Sequence, residues 1–228
     1  MKTVLITGAN RGIGLQAASE LSASGFQVFT GSRKGGANGE PVDDLRGEAY
    51  WIRIDVAESA SVAAASVWLA GKIDRLDVLI NNAGIFPDES LSITEISRAQ
   101  LTATFQTNTF GPIEVTQAFL PLLRRSKSAR VINLSSGYGQ LDGLSAEVPS
   151  YCLSKLALNG VTLMLANKLR ADGIAVNSVD PGWVRTDMGG SSATRGVKEG
   201  AAGIVWLASE APHEMTGRFL RDGQVIEW

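Results

Sequence analysis

Tyr151 and Lys155 stand four residues apart in the run Tyr151-Cys152-Leu153-Ser154-Lys155, and on a helix that spacing brings a phenol and an ammonium onto one face. Such a pair can move a proton. An ordinary phenol, with a pKa of about 10, is a poor acid near neutrality unless a neighbouring cation stabilises its phenolate, and the lysine is such a cation. The spacing alone also fits a solvated lysine beside a core tyrosine, so the surroundings decide. Ser136 follows a strand-like run ending at Asn133, which would bring a hydroxyl beside the same reacting oxygen as a second hydrogen-bond donor. Asn108 lies within a long helical segment, where a buried amide is a poor choice for packing alone.

A second cluster suits an anion. After the first apolar strand comes Thr7-Gly8-Ala9-Asn10-Arg11-Gly12-Ile13-Gly14, and an Ala-rich helix begins at once. Glycine lets the backbone turn sharply and approach a pyrophosphate, while the new helix presents unpaired N–H groups and the positive end of its dipole.

The elements that would position these groups alternate along the chain. Strands are predicted near Thr3 to Ile6, Gln27 to Thr30, Trp51 to Ile54, Val78 to Ile80, Arg130 to Asn133, Ala175 to Val179 and Arg218 to Arg221. Helical spacing or propensity covers Gly12 to Ala23, Ala60 to Ala70, Ile96 to Leu123, Ser150 to Arg170 and Lys198 to Ala208. Short strands alternating with helices predict one Rossmann-type, doubly wound α/β domain spanning residues 1–228, with a mainly parallel seven-stranded sheet flanked by helices. Lys34 to Asp44, rich in Gly, Pro and Asp, reads as a surface loop rather than a linker. Ligands of such sheets bind outside the carboxyl ends of the strands, so Gly137 to Pro149, with Tyr138, Leu141 and Leu144, and Asp187 to Val197 are the expected substrate walls.

Composition narrows the partners. The chain is 44% hydrophobic and 19% charged with a formal net charge of −2, which points away from disorder, nucleic acid and anionic membranes and towards a small molecule. Cys152 is the single cysteine, so no intrachain disulfide and no CxxC zinc site can form. With no signal-like or membrane-length apolar stretch, a cytoplasmic protein is expected. His213, the lone histidine, falls in a loop beside Pro212 and is assigned no role.

The glycine spacing Gly-x-x-x-Gly-x-Gly, Asn81-Asn82-Ala83-Gly84, Asn108, Ser135-Ser136, Tyr151 with Lys155, and Pro181-Gly182 followed by Thr186 occur in the order found in short-chain dehydrogenases/reductases. The chain resembles that family over nearly its whole length, and its closing run is similar to carbonyl-reductase-like members. The resemblance implies a catalytic set of Asn108, Ser136, Tyr151 and Lys155, with Tyr151 as general acid and base. Lys155 would lower the phenol's pKa and bond the nicotinamide ribose, while Asn108 would hold a relay water. Gly8, Asn10, Arg11, Gly12, Ile13 and Gly14 would cradle the cofactor phosphates. Asp55 and Val56 would contact adenine, with Asn82, Ala83 and Gly84 on the adenosine side. Pro181, Gly182, Val184 and Thr186 would cover the nicotinamide, and Ser136, Tyr138 and Tyr151 would face substrate.

A carboxylate after the second strand would favour a ribose 2′-hydroxyl, but here the strand ends Thr30-Gly31-Ser32-Arg33-Lys34 with no acid in reach. Arg33, assisted by Arg11, suits a 2′-phosphate, so NADP(H) is the expected cofactor. The expected reaction is hydride transfer to a ketone or aldehyde, reversible as alcohol oxidation. Kept beside it are an alcohol dehydrogenase, an imine or enone reductase, and a non-catalytic NADP(H)-sensing regulator or scaffold. Family pairing through the helices of Ile96 to Leu123 and Ser150 to Arg170 implies a homodimer or homotetramer. Animal carbonyl reductases carry a long insertion before the tyrosine that this chain lacks, so their tendency to be monomers does not carry over.

Overall fold

Runs of Val, Ile and Leu that are buried on both faces form the centre of a parallel sheet, and the helices between them cover it. The computed structural model describes residues 1–43, 45–87 and 91–228. The strands are β1 (Thr3–Thr7), β2 (Gln27–Ser32), β3 (Ala49–Arg53), β4 (Val78–Asn81), β5 (Arg130–Leu134), β6 (Ala175–Val179), β7 (Phe219–Arg221) and β8 (Gln224–Ile226). Their spatial order is β3-β2-β1-β4-β5-β6-β7-β8. All neighbours pair in parallel except β7 and β8. The order reverses between β1 and β4, which is where a doubly wound sheet opens its binding crevice.

The expected sheet had seven strands; the described residues form eight. The extra strand follows Asp222 (φ 53°) and Gly223 (φ 74°), two left-handed residues in succession that suit a tight hairpin.

Helices α1 (Gly12–Ala23) and α6 (Val197–Ser209) cover one face, where Leu21, Ile204 and Leu207 pack on Val4, Ile6 and Val28. On the other lie α2 (Ser59–Ala70), α4 (Gly111–Leu123) and α5 (Pro149–Leu169), with Leu69, Phe119 and Leu169 against Leu5, Phe29 and Val176. Each such side chain, fully withdrawn from water, contributes about 1.5–3 kcal/mol.

The single helix expected over Ile96 to Leu123 is interrupted. It comprises α3 (Arg98–Phe105), a π-helical turn over Gln106–Phe110, and α4. Ser97 and Gln100 form a capping box that starts α3, which sets the helix start two residues later than expected. Pro112 has no N–H to offer the Asn108 carbonyl in an α-helical register, so the ladder widens there. In the loop over Lys34 to Asp44, Pro41 bridges Tyr50; Asp44 itself lies outside the described residues.

Candidate active site

The cleft runs along the carboxyl ends of the strands and encloses about 1370 Å³. Its first wall is the turn from β1 into α1. Gly8 turns at φ +65°, and a Cβ there would lie 2.8 Å from Ala83 Cα. At Gly14 an added Cβ would lie 2.5 Å from Asn82 Nδ2 and 2.7 Å from the Gly8 carbonyl oxygen. Asn82 staples this turn, because its Nδ2 donates to the Thr7 and Gly8 carbonyls at 2.8 and 2.9 Å. The N-cap residue of α1, Arg11, makes no side-chain capping bond, so the helix start keeps its donors for an anion.

Asn10, Arg11, Gly12 and Ile13 line this end with Gly8 and Gly14; Ala83, Gly84, Asp55 and Val56 line the adjoining wall. Arg33 lies past the end of β2 and is exposed. Ser32 and Lys34, not singled out from sequence, line the cleft beside it. Arg11 is already engaged: it pairs across the mouth with Asp187, both side chains being largely exposed, so the pair is weak and competes readily with another anion.

At the other end, α5 carries Tyr151 and Lys155, both buried. The Lys155 ammonium donates to the Leu134 carbonyl at 2.7 Å and lies 5.5 Å from the centre of the Tyr151 ring. Ser136 hydrogen-bonds the Tyr151 phenol and accepts from the Tyr138 N–H at 3.2 Å. Phe86 and Tyr138 meet the Tyr151 ring edge-on at centroid distances of 4.8 and 6.4 Å.

Burial acts strongly on both titrating groups. It pushes the Tyr151 phenol well above its ordinary value, and the Ser136 hydrogen bond recovers only part of that shift. It brings Lys155 down to about 8, against a smaller upward pull from the Asp180 carboxylate. The lowering of the phenol expected from Lys155 therefore does not prevail over desolvation in this structure.

Of the predicted catalytic and cofactor-binding residues, Asn108 is the one outside the cleft lining. Its Oδ1 accepts from the Ile85 N–H at 2.8 Å, and its Nδ2 donates to the Ile85 carbonyl and to Ser154 Oγ at 2.9 and 3.0 Å. Both amide protons are thus occupied, and the side chain clamps the irregular segment after β4 that leads to Phe86 rather than presenting donors to a water. An added Cβ at Gly84 would lie 3.4 Å from Asn108 Oδ1 and 3.7 Å from Lys155 Nζ, so the clamp sits close behind the ammonium.

Pro181, Gly182, Val184 and Thr186 line the cleft as expected. The Gly/Ser-rich stretch after Thr186, part of the wall expected over Asp187 to Val197, is a bonded loop. Trp183 Nε1 donates to the Gly189 carbonyl at 2.8 Å, and Gly190 N–H to the Thr186 carbonyl at 2.9 Å. Val184 forms a parallel bridge with Arg195. Leu141 and Leu144 are exposed and lie outside the lining, where Gln140, Gly143, Phe86, Trp183 and Met188 take their place. Met188 falls in the wall expected over Asp187 to Val197, whereas sequence carried no signal for Phe86, since an isolated apolar loop residue reads the same whether or not it faces a cleft.

Asp180 and Arg221, also unforeseen, line the floor of the cleft. Among the described residues no cluster of His, Cys, Asp and Glu is arranged to hold a metal ion, and no helix is long and apolar enough to cross a membrane.

Known proteins are similar to this chain in sequence and fold. A family model described as short chain dehydrogenase matches residues 2–196. The short-chain dehydrogenase anuI of Penicillium roqueforti (strain FM164) is 35% identical across 98% of this chain and 95% of its own length. The NADPH-bound carbonyl reductase from chicken fatty liver superposes with a TM-score of 0.90 at 31% identity, covering 100% of this chain and 94% of that one. Carbonyl reductase Sniffer of D. melanogaster gives 0.87 at 32% identity, with 100% of both chains covered.

Proposed function

Because the chain belongs to the short-chain dehydrogenase/reductase family, we propose that it is an NADPH-dependent reductase of ketone or aldehyde carbonyls, reversible as alcohol oxidation. One observation carries this reading. The Tyr151 phenol, its Ser136 partner and the Lys155 ammonium meet at one end of a cleft whose other end is a glycine cradle at a helix N-terminus. A dinucleotide fits that cleft, because its pyrophosphate needs the close backbone approach that Gly8 and Gly14 permit. The nicotinamide, when bound, supplies the hydride or takes it back.

Tyr151 gives its proton to the oxygen that gains charge, and Ser136 steadies that oxygen with its own O–H. Ser136 accepts from the Tyr138 N–H, which fixes its oxygen and leaves the hydroxyl proton to point at substrate or at Tyr151. Lys155, anchored on the Leu134 carbonyl, holds positive charge beside the phenol as it becomes phenolate. Arg33 and Arg11 present cations where a 2′-phosphate would rest, and Asp187 releases Arg11 in exchange. The chicken relative, described as NADPH-bound, supports this choice of cofactor.

Tyr138, Phe86, Trp183 and Met188 surround the mouth, which favours an apolar or aromatic carbonyl compound. A homodimer or homotetramer forming through α4 and α5 belongs to the same reading, for Leu163 and Met164 of α5 are exposed; light scattering would give the mass.

The activity is tested by following NADPH and NADH absorbance against a panel of ketones, aldehydes and cyclic imines. Turnover of an aromatic ketone or aldehyde with NADPH preferred is expected. A folded, NADPH-binding protein inert towards the whole panel would overturn the reading.

A further inference from the structure

Asp180 directly follows β6 and its side chain is 2% exposed, whereas that of its partner Arg221 is 42% exposed. Its N–H donates to the Leu220 carbonyl at 2.8 Å, which extends the β6–β7 ladder into the cleft floor. Oδ1 accepts from the Gly182 N–H at 2.8 Å. Oδ2 accepts from Arg221 Nε at 2.7 Å and also from Nη2. The pair lies against the residue after Ser136: a Cβ on Gly137 would sit 3.3 Å from Asp180 Oδ2 and 2.7 Å from Arg221 Nη2.

A buried carboxylate costs several kcal/mol unless it is paired, and an uncharged side chain could serve the same geometry more cheaply. Holding the Pro181–Gly182 turn does not require the charge. Arg195 already does so, donating to the Pro181 carbonyl at 3.0 Å while it pairs with Asp222, and an asparagine oxygen would accept the Gly182 N–H equally well. What the charge does face is the catalytic end of the cleft: Asp180 lines it together with Ser136, Tyr151 and Lys155, and its Oδ2 lies against Gly137, the neighbour in chain of the serine that bonds the phenol. We propose that Asp180, clamped by Arg221, is a positioning residue that holds Lys155 as ammonium and Tyr151 as phenol, keeping the pair in its proton-donating state.

This inference rests on the assignment of Tyr151 and Lys155 given above. The carboxylate opposes the burial that depresses Lys155, and it adds to the burial that raises Tyr151. Both effects favour the protonated forms, so carbonyl reduction extends to higher pH than the same pair would allow without Asp180. The other titratable groups acting on the phenol are Cys152 on α5 and Tyr138 from the loop after β5, while Arg221 on β7 bonds the Asp180 carboxylate itself. Of the groups acting on both Tyr151 and Lys155, Asp180 is the anion. Arg221 fixes where that carboxylate points.

The test compares the wild type with Asp180→Asn, Arg221→Gln and the double variant. The high-pH limb of kcat/KM for carbonyl reduction reports groups of the free enzyme. In Asp180→Asn that limb is expected to move down by about one pH unit, the scale of a single nearby charge. In Arg221→Gln, where the carboxylate loses its counter-charge, the limb is expected to move up. A second readout needs no turnover: carbon NMR of protein labelled at lysine, with the Lys155 signal identified by its loss in Lys155→Met. Its midpoint is expected to fall in Asp180→Asn and to rise in Arg221→Gln.

Superimposable pH profiles that differ only in amplitude would make the pair a structural staple and overturn the proposal. If Asp180→Asn does not fold, Arg221→Gln decides, and an unmoved limb and midpoint refute it. If the wild type reduces no carbonyl, the proposed activity fails, yet the lysine titration still decides whether Asp180 holds Lys155 charged.

Discussion

The two ends of the cleft are made of different material. At the cradle, backbone and small residues do the positioning: Asn82 binds two carbonyls of the β1–α1 turn, and Gly8 and Gly14 leave no room for another carbon. At the substrate mouth, large side chains from separate loops do it, and Tyr138, Trp183 and Met188 remain 45%, 54% and 43% exposed. A site built from backbone contacts tolerates almost no added atom. One built from exposed side chains exchanges them at small cost, so its selectivity can change while the proposed hydride chemistry stays fixed.

The sharpest way to break this contrast is Gly14→Val. Valine would press on Asn82 Nδ2 and the Gly8 carbonyl, so NADPH binding measured by fluorescence titration is expected to weaken about a hundredfold or more, with about 1–3 kcal/mol lost in urea unfolding. Unchanged binding would mean that the cradle is not where the dinucleotide rests.

At the end away from the cradle lies the buried lysine, which gives a pH test. Burial holds Lys155 at about 8, below the ordinary lysine value of 10.5, so between these values the unfolded chain binds a proton that the folded chain releases. Stability from this group is therefore reduced below about pH 8 and recovers as pH rises towards 10. The wild type is expected to gain on the order of 2 kcal/mol relative to Lys155→Met across that interval in urea unfolding, and parallel curves would refute it.

Arg33→Asp is expected to shift the ratio of NADPH to NADH efficiency about tenfold towards NADH, the effect of exchanging one charge-assisted bond for a repulsion. Steady-state rates with both cofactors measure it. The smallest effect belongs to the mouth: Trp183→Ala is expected to raise KM for an aromatic ketone a few-fold, about 1 kcal/mol, with kcat nearly unchanged. A large fall in kcat there would show that the mouth takes part in positioning the reacting atoms.

The same contrast explains how much could be read from the sequence. The parallel strands and the glycine turn are local patterns, so β1, α1 and the residues from Gly8 to Gly14 were legible as a cradle. The β8 hairpin had a sign in Asp222-Gly223, a dipeptide that favours tight turns, but three-residue strands are too short to show a period. The π turn needed Pro112 to be read against Asn108 four residues earlier. Asp180 reads as an ordinary residue before Pro-Gly, and Arg221 as one strand charge among others. Only the β6–β7 register, with Val179 opposite Leu220, brings them together. Phe86 likewise reaches the tyrosine through tertiary packing alone.

The central claim is that Tyr151 is the proton donor at the end of an NADPH cleft. Its most direct test is kcat for reduction of an aromatic ketone by Tyr151→Phe, with the NADPH Kd measured on the same sample. The phenyl ring keeps the contacts with Phe86 and Tyr138, so Kd is expected to be unchanged while kcat falls by about 10²-fold or more. Turnover within a factor of about two of the wild type, at equal NADPH affinity, would contradict the account.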